Sequence, residues 1–384
     1  MDQPADALDE TMNYEAPWWL PGGNLQTIWA ALRSQRYRAT PPVFRRERWT
    51  SPDNDFVDVD WLENMAPTLV AARTTLPPGG AGLARGGPAP RPVASASAVG
   101  APVETPLDLS LDAARGGLGA QPLLVVFHGL EGSSGSHYAE AFADVARERG
   151  WAFAVPHFRG CSGEINWAPR AYHSGDFEEI DWILRRFASQ HHGPVLAVGI
   201  SLGGNALMRW AAEMGAEARP IVAGVASVCS PLDLAASGWA IGRGFNRQVY
   251  TRMFLRSMVP KALQKLDQHP GLFDRSKLLA ARDLHAFDNI FTAPLHGFKD
   301  ADDYWERASA KPHLHRIAVP ALALNALNDP FIPPASLPHA ASVGGHVTLW
   351  QPAAGGHVGF PSAPFPGHVR AMPEAVSAFL AAHL

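Results

Sequence analysis

The chain of 384 residues is 47% hydrophobic and 18% charged, with a formal net charge of −4. That is apolar material for a sizeable core, without the basic excess that a nucleic-acid surface requires. No apolar run reaches the roughly 20 residues that span a bilayer. The start, Met1 to Asp9, is polar and acidic, unlike a signal peptide, and Cys161 and Cys229 alone make no disulfide framework. A cytoplasmic protein without a transmembrane segment is expected.

In chain order, Pro17 to Trp29 is dense in Trp and Pro, and Trp18, Trp19 and Trp29 are expected to pack against the body. Asp55 to Leu62 alternates polar and apolar residues, as a half-buried strand does. Residues 66–121 are rich in Ala, Gly, Pro and Ser, a composition that cannot repay ordering entropy, so a disordered insertion is expected there. Pro122 to Phe127 is a continuous apolar run that suits a central strand covered on both faces. A helix over Tyr138 to Arg149 and a strand over Trp151 to Val155 follow. Asp176 to Ala188 reads as a helix that Asp176 and Glu179 cap. Then come a strand over Pro194 to Gly199, a helix over Leu202 to Met214 and a strand over Ile221 to Val228. Residues 231–312, rich in aromatics, Arg and His, read as a helical cap. Strands over Ala321 to Ala326 and His346 to Trp350, and a helix over Arg370 to His383, close the chain. The alternation predicts one α/β domain over residues 1–384. Its mostly parallel sheet would have helices on both faces, with ligands at the carboxyl ends of the strands.

One of those ends carries Gly199-Ile200-Ser201-Leu202-Gly203, a G-x-S-x-G pattern between a buried strand and a helix. A tight turn there exposes the Ser201 hydroxyl and leaves the Leu202 N–H free to hold an oxyanion. A glycine-rich turn with an incidental serine is the bland alternative, and the strand–turn–helix context argues against it. The earlier strand ends in Phe127-His128-Gly129-Leu130, where Leu130 would supply a second backbone donor and His128 would shape the turn. A serine hydroxyl needs a base and a group to orient it, following in the order acid then histidine in this fold. Asp329 is the only carboxylate in the loop after the strand ending at Ala326, and His357 follows the final strand between glycines. His346 repeats the local pattern but opens its strand, at the wrong end.

The stretches NLQTIW, FHGLEGSSGSHY, PHFRGCSGEIN, YHSGDFEEIDWIL, GISLGGNAL, FDNIFTAPLHGF, NDPFIP and GGHVGF together resemble the YheT-like (EMB8-type) branch of the α/β-hydrolases. The resemblance covers most of the chain outside the insertion. It implies the α/β-hydrolase fold, with an eight-stranded sheet and a helical cap, and hydrolysis of carboxylic esters by Ser201, Asp329 and His357. The chain departs from many relatives at Asn328, where a second acid is common, which leaves Asp329 alone to orient the histidine. It departs again at Asn24, where a histidine is common, which weakens any idea of a base from the N-terminal segment.

A serine esterase acting on a small-molecule ester of lipid-like character is therefore expected, needing no cofactor or metal. An acyltransferase using the same acyl-enzyme and a non-catalytic binding module are the alternatives; the intact triad pattern speaks against the second. Trp239, Phe245, Tyr250, Phe254, Phe287, Phe291 and Phe298 are candidates for an acyl pocket. Cys161 is expected to be a packed thiol, Arg159 a structural partner of acids, and the His269–Asp274 spacing a chance match. Nothing indicates the oligomeric state.

Overall fold

The structure, a computed structural model of the chain, describes residues 12–63 and 120–384. The stretch 66–121, but for its last two residues, lies outside the described residues. Those described form an eight-stranded sheet in the order β1-β2-β4-β3-β5-β6-β7-β8. Helix α1 (Gly23–Arg33) precedes β1 (Phe44–Thr50) and β2 (Phe56–Leu62). Then come β3 (Leu123–Phe127), α2 (His137–Glu148), β4 (Ala152–Pro156), α3 (Phe177–Gln190), β5 (Val195–Ile200), α4 (Leu202–Met214) and β6 (Gly224–Val228). After a helical segment follow β7 (Ala321–Leu324) and β8 (Val347–Trp350). β1 and β2 are antiparallel to each other, and β2 to β4; the remaining pairs are parallel.

Alternation along β3 shows how the two faces are filled. Leu123, Val125 and Phe127 pack with Ile183 and Phe187 of α3 and Leu207 and Trp210 of α4. Leu124 and Val126 turn to the other face, against Phe142 of α2 and against Val376 and Phe379 of the C-terminal helix Ala371–Ala381. Both faces of the central strands are thus covered, which is why their sequences are continuously apolar.

β1 has no apolar signal, since its sequence is FRRERWT. Its partner explains it. Arg46 lies opposite Asp60 and Arg48 opposite Asp58 in the antiparallel register. Their guanidinium Nε atoms are 2.7 Å from those carboxylates. The polar residues of β2 therefore do not face solvent as a half-buried strand would have them: Asp58 and Asp60 are buried. Charges on an edge strand also discourage pairing with another chain.

Asp176 is the N-terminal boundary residue of α3, yet its side chain caps nothing. It pairs with Arg170 at 2.5 Å, and Glu179 pairs with Arg159 at 2.6 Å. The guanidinium groups compete for these acids and win over the free N–H groups. Among the tryptophans, Trp19 meets Trp29 edge-on at 5.2 Å, whereas Trp18 is 91% exposed and packs against nothing of substance.

Between β6 and β7 lie α5 (Leu234–Ile241), α6 (Arg252–Gln268), α7 (Arg275–Ala280), α8 (Leu284–Ile290) and α9 (Ala301–Ala308), with shorter turns. Asp233, Asp274, Asp283 and Asp300 each accept a backbone N–H at the start of α5, α7, α8 and α9. Side-chain caps of this kind contribute about 1 kcal/mol each, and here they fix where four short helices begin. No described helix is long and apolar enough to cross a membrane.

Candidate active site

Ser201 joins β5 to α4 with φ 52° and ψ −118°. A non-glycine residue in that region costs about 1–3 kcal/mol and needs outside support. Its N–H donates to the Val228 carbonyl of β6 at 2.8 Å. Gly203 lets α4 start against the end of β3: a Cβ there would lie 2.5 Å from the His128 carbonyl oxygen.

His357 Nε2 is 3.0 Å from Ser201 Oγ, and His357 Nδ1 is 2.9 Å from Asp329 Oδ2. The other Asp329 oxygen accepts the Phe331 N–H at 2.8 Å. An ionised carboxylate only accepts, so the imidazole proton belongs on Nδ1 and the Nε2 lone pair faces the hydroxyl. The Phe331 ring covers the imidazole, its centroid 4.1 Å away. Asp329 is buried and His357 is largely so, which keeps water from competing for their contact. Leu130 and Leu202 line the same cavity as Ser201 and His357. Among the described residues, the N–H groups of Leu130 and Leu202 have no backbone acceptor outside their own elements. As the first residue of α4, Leu202 also lacks an intrahelical acceptor. The five residues expected from sequence are therefore brought to one place, contributed by the ends of β3, β5, β7 and β8.

The remaining expectations separate cleanly. His128 is fully buried, accepts the Phe158 N–H through Nε2 at 3.0 Å and meets the Gly129 carbonyl through Nδ1 at 2.7 Å. Burial pushes its pKa down to about 3, so it shapes the turn as a neutral ring. His346 is exposed at the start of β8. Arg159 holds Asp53, Asp55 and Glu179 at 2.7, 2.9 and 2.6 Å, a structural hub. Burial pushes the Cys161 thiol up to about 12, leaving it inert. His269 contacts the Trp167 carbonyl while Asp274 caps α7, so the two do not act together.

The cavity in front of Ser201 has a volume of about 160 Å³, enough for an organic group and not merely a water. Of the seven aromatic candidates, Phe254, Phe287 and Phe291 line it. Trp239 instead stacks on His285, Phe245 is exposed, Tyr250 packs on Phe331, and Phe298 packs on Tyr304. Tyr172, Tyr304, Trp305 and Phe331 also line the cavity and were not picked out by sequence. Aromatic spacing on short helices does not say which face turns inward. Cys229 completes a group with Asp329 and His357 whose donor atoms lie within 4.8 Å of one another. Two of the three are already bound to each other, and the sulfur is bound to the histidine loop, so the group reads as a hydrogen-bonded cluster.

The alpha/beta hydrolase fold family matches residues 122–364. The chain belongs to that family. It is 42% identical over 340 residues, 88% of this chain and 84% of the other, to a protein of Escherichia coli strain K12 named "Putative esterase YheT". It is 28% identical over 249 residues to "Phospholipase ABHD3" of Mus musculus, covering 62% of this chain and 58% of that one. It is 28% identical over 254 residues to "Monoacylglycerol lipase" of Saccharomyces cerevisiae, covering 63% and 55%. The chain thus spans less than two thirds of the length of these last two. It is an alpha/beta hydrolase of the YheT-like branch, with esterase-like and lipase-like relatives.

Proposed function

We propose that the protein is a serine hydrolase that cleaves carboxylic esters of small, lipid-like molecules through Ser201, His357 and Asp329. The observation that carries this reading is the unbroken line of contacts from Asp329 through His357 to Ser201, at 2.9 and 3.0 Å. His357 Nε2 takes the hydroxyl proton as Ser201 Oγ attacks the ester carbonyl carbon. The N–H groups of Leu130 and Leu202 receive the carbonyl oxygen as it becomes an oxyanion, each donor lowering the barrier by about 3 kcal/mol. The proton on Nε2 passes to the leaving alkoxide, which departs as the alcohol. Water, deprotonated by His357, then attacks the acyl-enzyme and releases the acid and the serine. Asp329 holds the imidazole tautomer and stabilises its charged form. In this reading the segment 231–312 is the cap of a single domain, and Phe254, Phe287 and Phe291 receive the acyl group.

The test is a fluorophosphonate probe with mass-spectrometric mapping, beside hydrolysis of p-nitrophenyl butyrate. Label on Ser201, absent in Ser201→Ala and strongly slowed in His357→Ala, is expected. A folded wild-type protein that neither takes label nor hydrolyses the ester overturns the reading.

A further inference from the structure

The loop that carries His357 is strained and lacks a backbone ladder of its own. Val358 and Phe360 have φ of 57° and 43°, a region that residues other than glycine rarely adopt. Cys229, at the end of β6, has φ 49° as well. Such a loop keeps one shape only if its surroundings hold it.

Four consecutive peptide N–H groups show what does. The Gly355 N–H donates to Gln26 Oε1 at 2.9 Å, and the Gly356 N–H donates to Asn328 Oδ1 at 2.9 Å. The His357 N–H donates to Thr27 Oγ1 at 2.8 Å, and the Val358 N–H donates to Cys229 Sγ at 3.3 Å. Each acceptor is itself fixed. Gln26 Nε2 donates to the Leu20 carbonyl at 2.9 Å, while Gln26 Oε1 also accepts Asn328 Nδ2 at 3.0 Å. Turning either amide over would set like groups against each other. The Thr27 hydroxyl spends its hydrogen on the Gly23 carbonyl at 2.7 Å, so a lone pair is left for His357. Burial pushes the Cys229 pKa well up, so it is a neutral thiol, and it donates to the Gly356 carbonyl at 3.6 Å. Gln26 is 2% exposed and Cys229 is fully buried, so no water stands in for them.

Helix α1 presses closely on this loop. At Gly356, where φ is +63°, a Cβ would lie 2.7 Å from the Gly23 carbonyl oxygen and 2.8 Å from Thr27 Oγ1. A glycine next to His357 therefore lets α1 approach the loop this closely.

We propose that Gln26 and Thr27 of α1, with Asn328 and Cys229, are positioning residues that hold the histidine loop by its peptide N–H groups and so set His357 between Asp329 and Ser201. The proposal rests on the triad reading above. It places part of the active site outside the stretch matched by the family, residues 122–364, since α1 lies at Gly23–Arg33. A general base displaced by about 1 Å can lose roughly a hundredfold in rate, so a loosened loop acts on kcat before it acts on binding.

The test uses the full chain with Thr27→Val, which keeps the shape and removes the acceptor, and Thr27→Ser, which keeps the acceptor. The readouts are kcat and KM for p-nitrophenyl butyrate, the rate of fluorophosphonate labelling of Ser201, and the melting temperature. Thr27→Val is expected to lose about 30-fold to 100-fold in kcat and labelling rate, with KM within about threefold, while Thr27→Ser stays within about threefold of wild type throughout. A purely structural role would lower the melting temperature and leave the rate per titrated active site unchanged. Should Thr27→Val fail to fold, Cys229→Ala removes one acceptor without touching α1 and carries the same expectation. Wild-type rates in the folded variants overturn this proposal alone. An unreactive wild-type protein overturns the triad reading and this proposal with it.

Discussion

Helix α1 and the helices between β6 and β7 meet the same strand ends by opposite chemistry. α1 reaches the loops through Gln26 and Thr27, whose oxygens accept directional hydrogen bonds from the Gly355 and His357 N–H groups. The helical segment reaches the cavity chiefly through Leu234, Ile241, Phe254, Phe287 and Phe291, apolar groups with no preferred direction. Hydrogen bonds weaken steeply when bent or stretched, whereas apolar contact is proportional to area and tolerates sliding. On the proposed function, one region is suited to holding the histidine still, and the other to receiving acyl groups of differing shape.

The sharpest way to break that comparison is at the group both regions serve. Asp329→Asn leaves the shape intact and favours the wrong tautomer of His357. A loss of about 10⁴-fold in kcat is expected with little change in KM. Steady-state rates at matched active-site concentration check it, and a loss below about tenfold would show that Asp329 does not orient the base.

Phe254→Ala probes the apolar side. The residue lines the cavity and lies 6.3 Å from Phe331, ring centre to ring centre. The expected result is a roughly tenfold fall in kcat/KM for a hexanoyl ester and less than about twofold for an acetyl ester, since only the longer chain loses buried area. Equal losses for both esters would mean that Phe254 acts through Phe331 on His357, and the division of labour between the two regions would blur.

The smallest expected effect lies away from both regions. Burial alone would raise the pKa of Asp53, but hydrogen bonds from Arg159 and Ser51 outweigh it and hold it at about 2, below the usual aspartate value of 3.8. A depressed folded-state pKa contributes stability that is present above about pH 4 and is lost as pH falls toward 2. Asp53 is partly exposed, so screening keeps its share small. Melting temperatures between pH 5 and 2, read for wild type against Asp53→Asn, should show a slightly flatter decline in the variant. Parallel curves would remove Asp53 from the acid response.

Much of the scaffold was legible because its signals are local. The apolar runs ending at Phe127, Gly199 and Val228 mark central strands, and G-x-S-x-G between strand and helix marks the turn at Ser201. β1 was not legible, because Arg46 and Arg48 find Asp60 and Asp58, and Trp49 finds the core, across a register that only the folded pair defines. The caps of α3 misled for the same reason: Asp176 and Glu179 have the right spacing for a capping pair, but Arg170 and Arg159 claim them. Four of the seven aromatics picked out in residues 231–312 do not line the cavity, which helical spacing on such short elements could not reveal.

By itself the sequence determined the strand–helix alternation, the strained turn at Ser201, and the order in which an acid and a histidine follow it. These depend on period, turn chemistry and residue type within a few positions. Tertiary structure alone decided that the loop carrying His357 meets a helix near the start of the chain. The His357 N–H and the Thr27 hydroxyl are 330 positions apart in sequence and 2.8 Å apart in space. No local propensity couples residues at that separation. Only the packing of α1 against the loops after β7 and β8 brings a donor and an acceptor together there.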